Sequence, residues 1–285
     1  MGTDHTEHRI KSHREVFARL VTANAGVPQE TELGAALIAA LASLPREKFV
    51  APPPWRIFTR AGYVNTHSSD PAFLYQDVVV PLGVDGPLNN GQPTLHAMCI
   101  ATLAPEKGNH VVHIGAGTGY YTAVLASLVG ETGSVDAYEI HPELARRAAE
   151  NLAEFSWVNV HRRSGAEGQL PSCHVLYVNA SAVEPLAIWL DALRLGGRLL
   201  FPLAPESGTG GMLLITRREE NAYAAQFLCQ AQFVACTGAQ NEAANRGLAG
   251  AFANGGWSRV KSLQRNNSPD ESCWYSGDGW WLSYV

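Results

Sequence analysis

The sequence predicts an α/β fold: a mostly parallel central sheet with helices on both faces, an N-terminal helical extension and an extra C-terminal segment. Three observations carry this. Between residues 110 and 203, short apolar runs alternate with segments of helical spacing, as expected of parallel strands joined by crossover helices. The first of those runs leads into a glycine loop and then a helix, VVHIGAGTGYYTAVLA. The chain of 285 residues is 46% hydrophobic and 16% charged, which permits a sizeable core and excludes wholesale disorder.

The elements follow in chain order. The start, MGTDHTEHRIKSHR, is polar and is expected to be a frayed tail. Val16, Leu20 and Val21, then Leu33, Ala36, Leu37, Ala40, Leu41 and Leu44, recur at helical spacing. Gly26 to Pro28 divide them into two helices. Thr31 is placed as an N-cap and Pro45 as a stop. Residues 51–74 contain Pro52, Pro53, Pro54 and Pro71 and read as a long loop or a few turns. Residues 76–82 read as extended, 84–92 as a Gly/Asn/Pro loop, and 94–103 as a helix with Pro93 at its first turn. Strands are expected at 110–115, 134–140, 158–163, 174–180 and 198–203. Helices are expected at 120–128, 142–155 and 185–195, the last ended by Gly196 and Gly197. Runs 211–218 and 224–238 read as closing strands. Residues 240–285 are less regular and carry Trp257, Trp274, Trp280 and Trp281, an aromatic run that reads as strand packing. The expected organisation is 1–83 (helices and approach loop), 84–239 (ligand-binding domain) and 240–285 (an extension packed on that domain).

Composition removes several classes of function. The balance of 21 Lys+Arg against 26 Asp+Glu, net −5, leaves no electrostatic footprint for nucleic acid. The polar start has no apolar signal-peptide core, and no apolar run reaches the roughly 18 residues of a membrane span. Cytoplasmic localisation is therefore expected. The cysteines, five in number, are widely spaced without a CxxC pair, so neither a disulfide framework nor a zinc site is signalled. The histidines show no HExxH-like spacing, and no metal is expected.

The glycine loop carries the chemistry. Gly115, Gly117 and Gly119 alternate with Ala116 and Thr118 between strand and helix. Glycine lets a ligand approach the backbone closely, and the helix start offers free N–H groups. The next strand ends at Glu139, about 20 residues on, where a carboxylate can accept from both ribose hydroxyls of an adenosine. A dinucleotide fingerprint would be GxGxxG, but position 120 is Tyr. The GxGxG form is instead that of S-adenosyl-L-methionine (SAM) methyltransferases.

The chain resembles the protein-L-isoaspartate O-methyltransferases over about residues 15–238. The blocks that carry the resemblance, in order, are LPREKFV (44–50), YQDVVVPLG (75–83), NNGQPTLHA (89–97), the glycine block, VDAYEIHPELARRAAENL (135–152), NVHRRSGAEG (159–168), LRLGGRLLFPL (193–203) and QFVACTGA (232–239). The resemblance implies a Rossmann-like class I SAM methyltransferase fold, SAM as cofactor, and a carboxylate on a peptide or protein as acceptor. It implies cofactor contacts at His113, Gly115, Ala116, Gly117, Thr118, Gly119, Glu139, Ala166, Glu167 and Asn179. It places Asn89, Asn90, Gln92 and Thr94 in the loop that presents the acceptor. The chain departs from the family pattern at several points. Gly91 stands where a loop hydroxyl helps hold the isoaspartyl carboxylate, and His113 where motif I has an acid. Gly165-Ala166-Glu167 replaces Gly-Asp-Gly, and Asn179-Ala180-Ser181 replaces Thr-Ala-Ala.

A carboxylate is already a nucleophile at pH 7, so its methylation requires alignment and desolvation rather than a base. Asn89, Asn90, Gln92 and Thr94 are the candidate donors to it, with Asn179 and Ser181 across the cofactor mouth. A hydroxyl or amine acceptor would need a base, and His96, His113 and His174 are then the candidates. Two other readings stay open: a methyltransferase for another small-molecule or peptide O/N acceptor, and a SAM-binding regulatory protein without transfer activity. Asn89-Asn90-Gly91 is equally a plain turn.

Overall fold

The computed structural model describes residues 2–285. In chain order the elements are α1 (Gly2–Asn24), α2 (Glu32–Ser43), β1 (Arg56–Thr59), β2 (Gly62–Asn65), α3 (Pro93–Leu103), β3 (His110–Ile114), α4 (Tyr120–Val129), β4 (Ser134–Tyr138), α5 (Pro142–Asn151), β5 (Val158–His161), β6 (Cys173–Val178), α6 (Ala187–Ala192), β7 (Leu193–Leu203), β8 (Gly210–Arg217), β9 (Ala222–Ala231), α7 (Glu242–Ala253), β10 (Ser262–Arg265), β11 (Cys273–Gly277) and β12 (Trp280–Ser283). They fall into two compact units. One runs from the N-terminus to Gly108 and adds Ala116–Arg162; the other comprises Asn109–Gly115 and Arg163–Val285. No helix among the described residues is long and apolar enough to cross a membrane.

In the first unit, α1 packs on α2 through a periodic apolar face that buries Phe17, Val21, Leu37 and Leu41. Thr31 caps α2 as expected, its Oγ1 accepting the Gly34 N–H at 3.0 Å. The expected frayed tail is instead the first turns of α1. No Pro or Gly interrupts residues 3–25, and Arg9 is tied to Asp70 at 2.8 Å. The expected loop at 51–74 contains the antiparallel hairpin β1–β2. The prolines that argued against strands lie outside it, and Trp55 and Leu74 anchor its ends in a small core with Val50 and Val80. Residues 76–82, expected to be extended, form no strand: the Val78 N–H donates to the Gln76 carbonyl at 2.9 Å in a tight turn, Pro81 makes an isolated bridge with Asn89, and Arg46 holds the segment. That buried guanidinium donates to the carbonyls of Leu74, of Gln76 at 2.9 Å and of Val78 at 3.4 Å. β4 and β5 pair in parallel, while α5 stops at Asn151, short of the expected 155.

The second unit is built on strands in the order β11-β12-β10-β9-β8-β7-β6-β3. β3 pairs with β6, and β6 with β7, in parallel. These strands are buried runs of Val, Ile and Leu, as a sheet covered on both faces requires. From β7 onward the pairs are antiparallel, so the parallel part is extended into a mixed sheet. The expected helix 185–195 is only α6, and Gly196 and Gly197 lie inside β7 rather than ending a helix. An irregular register, with Cys173 opposite Leu193 but Val175 opposite Arg198, absorbs the extra residues. Residues 240–285 are more regular than expected: α7 and three strands continue the sheet. Edge-to-face contacts of 5.2–5.6 Å among Phe227, Phe252, Trp257 and Trp274 hold this segment together.

Candidate active site

The strand-to-helix loop after β3 is shaped by its backbone. In the first unit, Ala116 N–H donates to the Tyr138 carbonyl at the end of β4 (3.1 Å). The Gly117 N–H donates to Glu139 Oε2 at 2.7 Å, and the His141 N–H to Glu139 Oε1 at 2.8 Å. Glu139 is 7% exposed. Burial raises its pKa, and the backbone N–H donors pull it back down. Gly117 has φ +58°, and a Cβ there would lie 3.2 Å from Leu82 Cδ1. Thr118 donates through Oγ1 to the Phe49 carbonyl, and its own carbonyl accepts from Asn151 Nδ2 at 2.9 Å. A Cβ on Gly119 would fall 2.8 Å from Leu152 Cδ1. Gly117 and Glu139 are thus joined directly. Ala116, Thr118 and Gly119 contribute main chain and fit rather than functional side chains.

In the second unit, β3 and β6 run side by side with Ile114 opposite Val178, so Gly115 and Asn179 emerge together. The Asn179 N–H donates to the Ile114 carbonyl at 2.8 Å. A Cβ on Gly115 would lie 3.4 Å from the Asn179 carbonyl carbon. His113 is wholly buried, is stacked on Tyr177 with centroids 5.5 Å apart, and has Nε2 2.7 Å from Asn179 Nδ2. Burial pushes its pKa down to about 3, so the ring is neutral and poorly suited to act as a base at neutral pH. The Asn179 Oδ1 is buried with no hydrogen-bond partner among the described residues.

The loop bearing Ala166 and Glu167 is held at several points. Trp189 Nε1 donates to the Gly165 carbonyl at 2.8 Å. Arg163 donates to the carbonyls of Glu167 (2.7 Å) and Gln169 (3.1 Å). Ser164 Oγ accepts the Ala166 N–H at 3.1 Å and donates to the Thr237 carbonyl at 3.2 Å. A side chain on Gly165 would meet Ile114 Cγ1 at 2.6 Å. The Glu167 carboxylate is exposed.

The loop 89–94, in the first unit, is occupied with itself. Asn89 Oδ1 accepts the Gly91 N–H at 2.9 Å, and its Nδ2 donates to the Pro87 carbonyl at 3.1 Å. Asn90 Oδ1 accepts the Val80 N–H at 2.7 Å. Gln92 Nε2 donates to Asp77 Oδ2 at 2.9 Å, and the Thr94 N–H to Asp77 Oδ1 at 2.8 Å. Asp77 thereby caps α3 from outside the helix. The Thr94 Oγ1 is buried without a hydrogen-bond partner among the described residues. Gly91 has φ +68°, and a Cβ there would be 2.0 Å from His96 Nε2; His96 in turn stacks on Tyr121 at 3.8 Å. Asp77, Arg163 and Trp189 are absent from the sequence-derived site. The partners of Asp77 and Trp189 lie 15 to 24 residues away, while Arg163 folds back on carbonyls within six residues, and no side-chain pattern marks any of the three. His174 lies at the start of β6 and accepts the His110 N–H at 2.9 Å through Nδ1. Among the described residues, no cluster of His, Cys, Asp and Glu is arranged to hold a metal ion.

A family model described as protein-L-isoaspartate(D-aspartate) O-methyltransferase matches residues 29–241. Protein-L-isoaspartate O-methyltransferase 2 of Anaeromyxobacter sp. (strain Fw109-5) is 31% identical over 203 residues, covering 67% of this chain and 74% of the relative. The Gloeobacter violaceus protein-L-isoaspartate O-methyltransferase is 32% identical over 186 residues, covering 64% and 80%. Among solved structures, a protein-L-isoaspartate O-methyltransferase superposes with TM-score 0.66 at 23% identity over 80% of this chain and 67% of its own. A Plasmodium falciparum structure, described as a protein-L-isoaspartate O-methyltransferase in complex with S-adenosyl-L-homocysteine, gives 0.60 at 18% identity over 78% and 98%. These superpositions establish the class I fold, and the sequence matches establish more: the chain belongs to the protein-L-isoaspartate(D-aspartate) O-methyltransferase family, whose members are SAM-dependent carboxyl O-methyltransferases.

Proposed function

We propose that the protein transfers the methyl group of SAM to an isoaspartyl-type carboxylate of a peptide or protein. The observation that carries this reading is the family match across residues 29–241. The residues present fit the cofactor on two counts. Gly117 occupies a cradle that a Cβ would crowd, and the Asn179 Oδ1 is a buried acceptor without a donor. In this reading Gly115 to Gly119 line the donor. Glu139 accepts from its ribose. The bound cofactor supplies a sulfonium whose methyl carbon is electrophilic.

The chain's own contribution is placement. The acceptor carboxylate attacks unaided, so no proton need be removed. The loop 89–94 presents it. Asn89, Asn90 and Gln92 set the shape of that loop through their bonds to Gly91, Val80 and Asp77, which leaves the backbone around Gly91 to face the acceptor, while the Thr94 hydroxyl is a buried, unpartnered group behind it. An acceptor other than nucleic acid, and action in the cytoplasm, belong to the same reading. The net charge of −5 and five free cysteines support them. The test is transfer of labelled methyl from SAM to an isoaspartyl peptide, with its aspartyl counterpart as control. The expected product is isoaspartyl-dependent and releases methanol in mild base. Base-stable label, or equal labelling of both peptides, contradicts the reading.

A further inference from the structure

We propose that the aromatic face of the hairpin β1–β2 docks the polypeptide that flanks the acceptor carboxylate, and that it takes there an aromatic side chain beside an acidic one. The proposal rests on the acceptor reading above and deepens it, by naming what the acceptor carries about three residues from the methylated position.

The hairpin is firmly built and still leaves rings in water. Trp55 is buried at its base; its N–H donates to Thr66 Oγ1 at 3.0 Å, and its carbonyl accepts the Thr66 N–H at 2.8 Å. Thr59 Oγ1 donates to the Gly62 carbonyl at 2.8 Å and closes the turn. The register sets Phe58 opposite Tyr63 and Arg56 opposite Asn65, so these four residues share one face. Phe58 and Tyr63 meet edge to face at 5.2 Å, and the Arg56 guanidinium lies 4.8 Å from the Tyr63 ring centre. The two aromatic residues are nevertheless 52% and 40% exposed. A cross-strand pair stabilises a hairpin by its own contact. Rings left half in water beside a cation also offer area and charge to a partner.

Two observations select the occupant. The first is charge. Residues 51–69 contain Arg56 and Arg60 and no Asp or Glu, in a chain of net charge −5. A basic aromatic face attracts an acidic polypeptide, whereas a second copy docked there about a twofold axis would bring Arg56 toward its own like charge. The second is continuity with the acceptor loop, all within the first unit. The Phe58 N–H donates to the Val79 carbonyl at 2.9 Å. The next residue, Val80, donates its N–H to Asn90 Oδ1 at 2.7 Å and accepts the Asn90 N–H at 2.9 Å. Two backbone steps of about 5 Å each thus separate the hairpin from the loop that presents the acceptor, a distance that about three residues of extended chain span.

The experiment measures methyl transfer to isoaspartyl peptides of one length, which carry Phe-Glu, Phe-Lys or Ser-Gln centred about three residues from the isoaspartyl position on both sides. Wild type is expected to favour Phe-Glu over Ser-Gln by about tenfold in kcat/KM, mostly through KM, the scale of burying one aromatic side chain in part. The double variant Phe58→Thr/Tyr63→Thr should bring that ratio close to one. Arg56→Glu should reverse the order of Phe-Glu and Phe-Lys. Equal kcat/KM of wild type for Phe-Glu and Ser-Gln overturns the proposal alone. So does a double variant that keeps the ratio while lowering both rates by one factor, or an Arg56→Glu protein that still prefers Phe-Glu. A wild-type dimer in sedimentation that the double variant dissociates assigns the face to a second copy and overturns the proposal as well. Wild type that methylates none of the isoaspartyl peptides overturns the acceptor reading and this proposal with it.

Discussion

The first unit contains two glycine-bearing turns that solve opposite problems. At Ala116 to Gly119 the backbone is tied from outside: to the Tyr138 carbonyl, to the Glu139 carboxylate and to Asn151. At 89–94 the side chains of Asn89, Asn90 and Gln92 turn back onto the loop and its neighbours Val80 and Asp77. The first turn puts its polar contacts on the backbone, and side chains on its glycines would crowd Leu82 and Leu152. The second uses up its polar side chains in holding its own shape. A cofactor common to a family can be read from glycines and one acid, because what they do is leave room and accept hydrogen bonds. An acceptor cannot be read from the amide side chains of a loop when those amides are already bound.

Substitutions that break one turn and spare the other sharpen this contrast. Gly117→Val should have the largest effect. A β-branched residue at φ +58° is strained, and its Cβ meets Leu82 at 3.2 Å. Affinity for S-adenosylhomocysteine should fall about 100-fold or more by calorimetry. Glu139→Gln comes next. It keeps the shape but sets an NH2 group against a backbone N–H or a ribose hydroxyl, for about a tenfold loss of cofactor affinity.

The pH dependence follows from the same carboxyl. Burial raises the pKa of Glu139 in the fold. Ionising it therefore works against the unliganded fold as pH rises through that raised value, whereas accepting from ribose requires the ionised form. Cofactor affinity should weaken as pH drops through the raised pKa, above the ordinary glutamate range. Calorimetry at falling pH, from neutrality down into the ordinary glutamate range, should show this in wild type and a flatter profile in Glu139→Gln.

Asp77→Ala breaks the other turn. It removes the acceptor of both Gln92 and the Thr94 N–H, at a cost of about 1 kcal/mol in stability. The acceptor KM should rise several-fold while cofactor affinity stays near wild type. Thr94→Val should be smallest in stability. Deleting an unpartnered buried hydroxyl should leave the melting temperature unchanged or raise it, within about 1 kcal/mol. A fall in kcat/KM without loss of stability would place that hydroxyl on the acceptor.

The strands and helices between His110 and Val178 are legible from the sequence because each is an apolar run long enough to declare its period, bounded by Gly, Pro or a polar turn. Thr31 is legible as a cap because capping is local. The hairpin at 56–65 is hidden by flanking prolines and by strands four residues long. The strands at 262–283 are hidden because their stability comes from aromatic contacts to Phe227 and Phe252, not from alternation along the chain. Gly196 and Gly197 mislead because glycines that end a helix and glycines that relax a strand register look alike in one dimension. The same division runs through the site. Gly117 and Glu139, proposed from spacing, are joined by a hydrogen bond of 2.7 Å. Asp77 requires the fold, since it joins residues 15 and 17 positions away, and Arg163 and the fit of Gly91 against His96 require the loop conformation, which spacing does not reveal.

The most direct measurement is calorimetric titration of S-adenosylhomocysteine into wild type and Asp77→Ala, followed by methyl transfer to an isoaspartyl peptide by both. The account predicts the same cofactor affinity in the two proteins and a raised acceptor KM in the variant alone. Failure of wild type to bind the cofactor product, or an equal loss of cofactor affinity in Asp77→Ala, would contradict it.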